Sequence, residues 1–406
     1  MKVIVYEYVS GGGYAGQLIP PAVLSEGFGM LRSVVADFKA AGHEVTVLLD
    51  ARLSKLNPPL DAQCTVPIFY PGEPEKFLSR IAQINDAIYI IAPETRKTLQ
   101  SLVEIAEKTG KISLNSESST IKKVADKTVF YETVQKFATT PKTVVLNMDD
   151  DLAKTKQTIN EELGYPVVLK PADGVSCSGL SLVTQETQLA NALIKIIAES
   201  SSKRFIAQEF IHGEAASISL ISTGKKAMAI SLNKQNIILA DSDAASSYEG
   251  GVVPFDHRLK QEAFKIAEKV AEAFNGLKGY LGIDFVLTEN KAFVVDVNPR
   301  LTTSYVGLRR VVAFNPAEVI VNAVVNGKLP AEQENHGTAC FSKIETHMPI
   351  ISAFKKAVHL DAVVSPPFPL TGNSKAVSLV MGEGANREEA VLRLEEAKKH
   401  LRSIIT

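Results

Sequence analysis

Apolar and polar positions alternate in blocks along the first 115 residues. Residues 3–8 are a short apolar run that predicts a strand, and 26–41 carry Phe28, Leu31, Val34, Val35 and Phe38 at helical spacing. Gly42 ends that helix, and 44–49 (EVTVLL) predicts a second strand. A third, 87–92 (AIYIIA), is apolar without interruption, as in a strand buried on both faces. This succession predicts a parallel sheet with right-handed crossovers, an N-terminal Rossmann-like α/β domain over 1–115.

Near Asn115 the chain becomes polar and then basic (NSESSTIKKVADK), which marks a crossing into a second unit. Over 116–204 the pattern predicts helices at 121–137, 151–163 and 186–199, with strands at 143–146, 166–171 and 180–183. Over 205–330, alternating stretches at 207–211, 218–221 and 285–297 predict an antiparallel sheet, with a helix at 259–274. From 331 a polar linker leads to a small C-terminal α/β module over 331–406. It has a strand at 376–381, a Pro-rich turn at 365–369 and a helix after Asn386. That helix has Glu388 and Glu389 in its first turn and Lys398, Lys399 and Arg402 near its end, which complements the helix dipole.

At 406 residues the chain is too long for one ordinary domain, and 45% hydrophobic residues supply a sizeable core. A formal charge of −1 favours neither nucleic acid nor an anionic membrane as partner. The start, MKVIVYEYVSGGG, lacks the apolar core of a signal peptide, and no apolar run approaches ~20 residues. A cytoplasmic protein is expected. Cys64, Cys177 and Cys340 lie far apart without zinc spacing, Cys177 reads as a small filler, and His212 and His257 stand singly.

The chemistry concentrates in a few segments. Residues 282–301 (GIDFVLTENKAFVVDVNPRL) read as a hairpin whose second strand ends in Asp-Val-Asn-Pro-Arg. Side chains alternate along a strand, so Asp296 and Asn298 share a face, and Pro299 ends the ladder before Arg300. Asp284 faces Asp296 only if the two pair directly, which requires an odd loop or a bulge. Oxygen donors in this number suit Mg²⁺; the bland alternative is an ion pair of Asp296 with Arg300.

Residues 164–183 deliver Lys170 on an apolar strand and then a loop of small residues, Gly174, Val175, Ser176, Cys177, Ser178 and Gly179. Small residues let backbone N–H groups approach phosphate oxygens, although a glycine between strands is as often a plain turn. Lys127, on the predicted helix, gains meaning as a second cation for a polyphosphate. The strand 207–211 with Gln208 and Glu209 is able to hold a planar base, or is an ordinary edge strand. Asn233, Lys234, Gln235 and Tyr248 are hydrogen-bonding candidates for a polar substrate, and Gly250–Gly251 would allow close backbone approach.

In order, Lys127, Lys170 with its glycine loop, QEFIHGE, Asp284 and the DVNPR ending resemble the ATP-grasp family over about 200 residues. The resemblance implies a fold that is α/β and α+β: a pre-ATP-grasp N-terminal domain, a small lobe (116–204) and a large lobe (205–330) that hold ATP between two sheets. It implies that Lys127, Lys170, Gly174, Ser176, Ser178 and Gly179 meet the phosphates. Gln208 with the backbone of Glu209 and Ile211 would hold adenine. Asp284, Asp296 and Asn298 would hold Mg²⁺ or Mn²⁺, and Arg300 with Lys170 would be catalytic. Two positions depart from the family pattern. Ala215, with Glu214 one earlier, stands where a ribose-binding Glu is common, and the metal motif begins with Asp296 in place of Glu.

YEYVSGGG (6–13), 26–38, APE (92–94), SLNKQ…YEGGVVP and NPRLTTSYVGLR (298–309) are similar, within that family, to archaeal ligases of methanofuran biosynthesis. Those join the γ-carboxylate of glutamate to an aryl-ethylamine. The expected partners are therefore a small-molecule carboxylate and amine, with a homodimer as the one assembly considered. Ser10, Gly11, Gly12, Asn233, Gln235, Tyr248, Thr302 and Thr303 are the substrate candidates. The rival readings are a ligase that takes an amino acid as nucleophile, a phosphotransferase and a nucleotide-binding regulator. A dehydrogenase is weaker, since SGGGYAG after the first strand lacks GxGxxG.

Overall fold

The N-terminal blocks fold into the parallel sheet that their spacing predicts. This computed structural model describes residues 1–173, 179–200, 202–331 and 335–405. Strands β1 (Lys2–Glu7), β2 (Glu44–Asp50), β3 (Cys64–Ile68), β4 (Ala87–Ile91) and β5 (Ile112–Ser113) lie in the order β3-β2-β1-β4-β5. β4 is buried along its whole length, and the helix Pro21–Ala40 sets Phe28, Leu31, Val34, Val35 and Phe38 into the core. β3 and β5 escape the sequence pattern because one is a largely exposed edge strand and the other has two residues.

A second, four-stranded sheet contains β6 (Thr143–Asn147), β7 (Val167–Pro171), β8 (Ser181–Val183) and β9 (Arg204–Glu209), in the order β6-β9-β7-β8. Of the stretch 207–211, expected in the large antiparallel sheet or at an edge, residues 207–209 thus belong to β9 inside the small sheet, and 210–211 lie past its end. The helix expected at 121–137 is two helices, Ser118–Ala125 and Lys127–Val134. They part at Asp126, whose carboxylate accepts from the backbone N–H of Thr128 at 3.0 Å and so caps the second helix. That cap places Lys127 in a first turn and not in mid-helix.

The third sheet holds eight strands among the described residues. They are β10 (Glu214–Thr223), β11 (Ala227–Ile238), β12 (Ser247–Val253), β13 (Lys278–Leu287), β14 (Ala292–Asn298), β15 (Thr338–His347), β16 (Val363–Ser365) and β17 (Lys375–Gly384). Their order is β14-β13-β10-β11-β12-β15-β17-β16. The C-terminal residues therefore do not stand apart: β15 pairs with β12 and extends the sheet of the large lobe. Their far side packs on the N-terminal helix, where a Cβ on Gly29 would lie 2.9 Å from Leu379. Asp37 on the same helix accepts from Tyr305 Oη at 2.6 Å and pairs with Arg309 at 2.5 Å, which ties the end of the hairpin region to the first domain.

Candidate active site

The hairpin β13–β14 sets the site. From Phe285↔Val294 to Asp284↔Asp296 the register slips by one, so Val295 is an extra residue on β14. This bulge brings Asp296 opposite Asp284, the pairing that alternation alone denies. Gln235 Nε2 donates to Asp284 Oδ1, and Asn298 Nδ2 donates to Asp284 Oδ2, both at 3.0 Å. Burial first, and then the neighbouring Asp296 charge, push the Asp284 carboxyl up to about 6, against the pull of these hydrogen bonds and of Lys127. Two crowded carboxylates and an amide oxygen at a strand end are a donor set that fits Mg²⁺.

Lys127 and Lys170 reach this point from separate elements. The backbone N–H of Lys127 donates to the carbonyl of Ala172 at 3.0 Å, just past the end of β7, which carries Lys170. The Lys127 ammonium is hydrogen-bonded to Asp296 Oδ2. Asp296 thus pairs with Lys127 and not with Arg300. Both lysines are buried, and each lines a cavity of about 440 Å³ between the small sheet and the large one. Gln208, Glu209, Ile211, Glu214, Gln235, Asp284 and Asp296 line it too, among the aliphatic side chains of Val168, Leu180, Ile237 and Leu239. Gln208 Nε2 donates to Thr143 Oγ1 at 2.9 Å, and Glu214 pairs with Lys234 at 2.9 Å. Ala215 also lines the cavity, so both positions at the ribose end of the family pattern face one space.

A second cavity, about 110 Å³, shares Gln235, Ile237, Asp284 and Asp296 with the first. It adds Asn298, Arg300, Tyr248, Thr302, Thr303, Ser304 and Glu26. Arg300 is braced by Glu94, with Nε 3.1 Å and 3.2 Å from the two carboxylate oxygens, and its Nη1 donates to the carbonyl of Leu301. Burial pushes the Glu94 carboxyl up, and the Arg300 charge opposes that shift. Glu7 behaves likewise: burial raises it, while Ser10, Val9 and the Arg300 charge hold it down.

Some candidates sit elsewhere. Asn233 is fully buried within the sheet and donates to Ser219 Oγ at 2.9 Å. Ser10 donates from N (2.7 Å) and Oγ (2.6 Å) to Glu7, behind Arg300, and lines neither cavity. Gly11 and Gly12 make room for protein, since a Cβ would lie 2.5 Å from the Tyr6 ring or 2.4 Å from Ile68. Gly250 and Gly251 likewise admit the neighbouring strands and not a ligand, with Phe341 O and Lys234 O at 2.1 Å and 2.4 Å from a Cβ. Gly179 takes a φ of 69° beside Pro171; Gly174, Val175, Ser176, Cys177 and Ser178 lie outside the described residues. Glu26, Glu94 and Lys343 escaped as site residues. Each comes from a distant element, and the local signals were APE (92–94) and the stretch 26–38 that Glu26 opens.

With this geometry in place, the comparisons are specific. Residues 124–304 match the ATP-grasp domain, and 43–121 match the pre ATP-grasp 3 domain. A tyramine–L-glutamate ligase of Methanocaldococcus fervens is 32% identical over 249 residues, which cover 61% of this chain and 69% of that one. An ATP-grasp superfamily protein from Archaeoglobus fulgidus has a similar structure, with a TM-score of 0.62, 22% identity and coverage of 94% and 99%. The biotin carboxylase domain of Hydrogenobacter thermophilus 2-oxoglutarate carboxylase, a dimer solved with MgADP, gives a TM-score of 0.72 at 14% identity, with 98% and 89% covered. No described helix is long and apolar enough to cross a membrane. The chain belongs to the ATP-grasp family, as an ADP-forming carboxylate–amine ligase.

Proposed function

We propose that this ligase phosphorylates the side-chain carboxylate of glutamate with ATP and passes the acyl group to a tyramine-like aryl-ethylamine, in the cytoplasm. The observation that carries the reading is the pair of cavities joined at Asp284 and Asp296. One is large and mostly aliphatic with two lysines, and the other is small and polar with Arg300. A nucleotide in the first would present its terminal phosphate to a carboxylate in the second. The relative's name supplies the choice of glutamate and tyramine.

In this reading Gln208 and the backbone of Glu209 and Ile211 hold adenine among Val168, Leu180, Ile237 and Leu239. Glu214 takes the ribose. Lys127 and Lys170 neutralise the phosphates, to which Gly174, Ser176, Ser178 and Gly179 also bind. Asp284, Asp296 and Asn298 hold Mg²⁺, with Mn²⁺ as the substitute. The ion supplies charge neutralisation on the phosphate oxygens. Lys127 then trades its bond with Asp296 for one with phosphate.

The carboxylate oxygen attacks the γ-phosphorus and the bond to ADP breaks, which gives an acyl phosphate. Arg300, fixed by Glu94, stabilises the charge on the transferring group. The neutral amine attacks the acyl carbon, phosphate departs carrying the proton that the amine nitrogen loses, and an amide remains. Tyr248, Thr302 and Thr303 orient the carboxylate substrate. No protein nucleophile is required; positioning and charge do the catalysis.

A panel of carboxylates and amines, read by ADP release and product mass, tests this. Sustained ADP release should require both partners, and the product mass should equal their sum less one water. Multiple turnovers of ADP without any amine would make the enzyme a phosphotransferase, and activity confined to amino acids as amine would replace tyramine. A homodimer is a separate proposal, tested by molar mass in solution.

A further inference from the structure

Besides Asp284 and Asp296, which the reading above gives to the metal, the second cavity is lined by two opposite charges, Arg300 and Glu26, and of these two the roles above use only the cation. Glu26 belongs to the N-terminal helix Pro21–Ala40. Its carboxylate is held from two sides. Oε1 accepts from Lys343 Nζ at 3.0 Å, and Oε2 accepts from Thr303 Oγ1 at 2.9 Å. Lys343 is on β15, in the segment beyond the residues that match the family domains. Its ammonium also lies 6.0 Å from the centre of the Tyr248 ring. Glu26 is thus fixed by two distant parts of the chain, yet its side chain keeps 21% exposure against 11% for Lys343.

A carboxylate oxygen accepts more than one hydrogen bond, so each oxygen retains capacity toward the cavity. A carboxylate and a guanidinium lining one small cavity complement a molecule that carries both signs a few bonds apart. The geometry points to Glu26 as the residue that binds the α-ammonium group of an amino-acid substrate, with Lys343 as the positioning residue that orients it. The carboxylate to be phosphorylated then lies toward Arg300 and Asn298. This rests on the ligase reading above and gives recognition of the α-amino group of its glutamate to one residue. The attacking amine is the poorer occupant for Glu26, because it must arrive neutral, and a fixed carboxylate favours the protonated form of whatever it binds.

The test is discrimination between glutamate and glutarate, which lacks only the α-amino group, with the full-length enzyme, saturating Mg·ATP and tyramine. The wild type should prefer glutamate about 10- to 100-fold in kcat/KM, the range expected for one charged hydrogen-bonding contact. Glu26→Gln should collapse that ratio to about threefold or less. Lys343→Met should lower it through the KM for glutamate, with Lys343→Arg restoring it; a merely structural lysine would not move the ratio. The double variant Glu26→Gln/Lys343→Met leaves neither charge alone and guards against misfolding of the single variants. A wild-type ratio near one, or an undiminished ratio in Glu26→Gln, overturns the assignment. A raised KM for tyramine with the ratio intact overturns it in favour of the amine. If no amino acid supports ADP release, it is the ligase substrate that fails. Calorimetry of glutamate and glutarate with a non-hydrolysable ATP analogue then still decides Glu26: preferential binding of glutamate upholds the contact, and equal binding ends it.

Discussion

Asp284 stands directly across the hairpin from Asp296 because Val295 is bulged out of β14. The pairing suits a bound cation and burdens the protein without one. The Asp284 carboxyl is pushed from 3.8 up to about 6, so between those values the folded state holds a proton that the unfolded state releases. Stability of the metal-free protein therefore falls as pH rises from about 4 through about 6, and the full loss is present above. Asp284→Asn should raise the melting temperature at pH 8 without Mg²⁺, give no gain near pH 3, and cut ligase turnover by about 100-fold or more. Melting curves across that pH range with and without Mg²⁺ check this. A lower melting temperature for the variant at pH 8 would show that the charge is not a burden.

Glu94 reaches Arg300 from the N-terminal domain and grips it through both carboxylate oxygens. The pair lies outside the nucleotide cavity, so Glu94 should act on the transferring group and not on ATP affinity. Glu94→Gln is expected to lower kcat by about 10- to 100-fold while the KM for ATP changes less than about threefold. Steady-state kinetics decide it: an ATP KM that rises while kcat holds would move Glu94 out of this role.

Asp126 caps the helix that begins at Lys127 and pairs with Arg204 at 2.6 Å. Asp126→Ala should cost about 1 kcal/mol of stability through the lost cap. It should also loosen Lys127 and raise the KM for ATP by about 3- to 10-fold. Denaturant melts and ATP titrations read the two effects separately. A stability loss with unaltered ATP KM would mean that the bonds of Lys127 to Ala172 and Asp296 hold it without the cap.

Elements whose apolar period is unbroken were legible from the chain alone. The fully buried β4 and the N-terminal helix with its Gly42 stop needed only local pattern. So did the shared face of Asp296 and Asn298 in DVNPR, because alternation ties one to the other. The bulge at Val295 was legible as a requirement and not as a position, since both registers fit the same apolar pattern. Asp126 was hidden inside a stretch that reads as one helix. The place of β15 in the large sheet was hidden too, because strand pairing across a long loop leaves no local trace. Glu26 and Lys343 meet only through that pairing, which is why the anionic side of the second cavity was unread.

Gly250 lies where that hidden pairing is tightest. Its φ is 133°, and a Cβ there would stand 2.1 Å from the carbonyl oxygen of Phe341 on β15. Both the backbone conformation and the space exclude a side chain. Gly250→Ala must either push β15 away from β12 or twist β12 itself. Strain of this kind costs about 1–3 kcal/mol before the clash is counted, so a drop in melting temperature of several degrees is expected. The displacement would also carry Lys343 away from Glu26, so the surviving enzyme should lose preference for glutamate over glutarate. Kinetics on the folded fraction separate the two consequences. A variant that is destabilised yet keeps full preference would uncouple the strand seam from substrate choice, whereas one that keeps its melting temperature would show that the seam yields without cost.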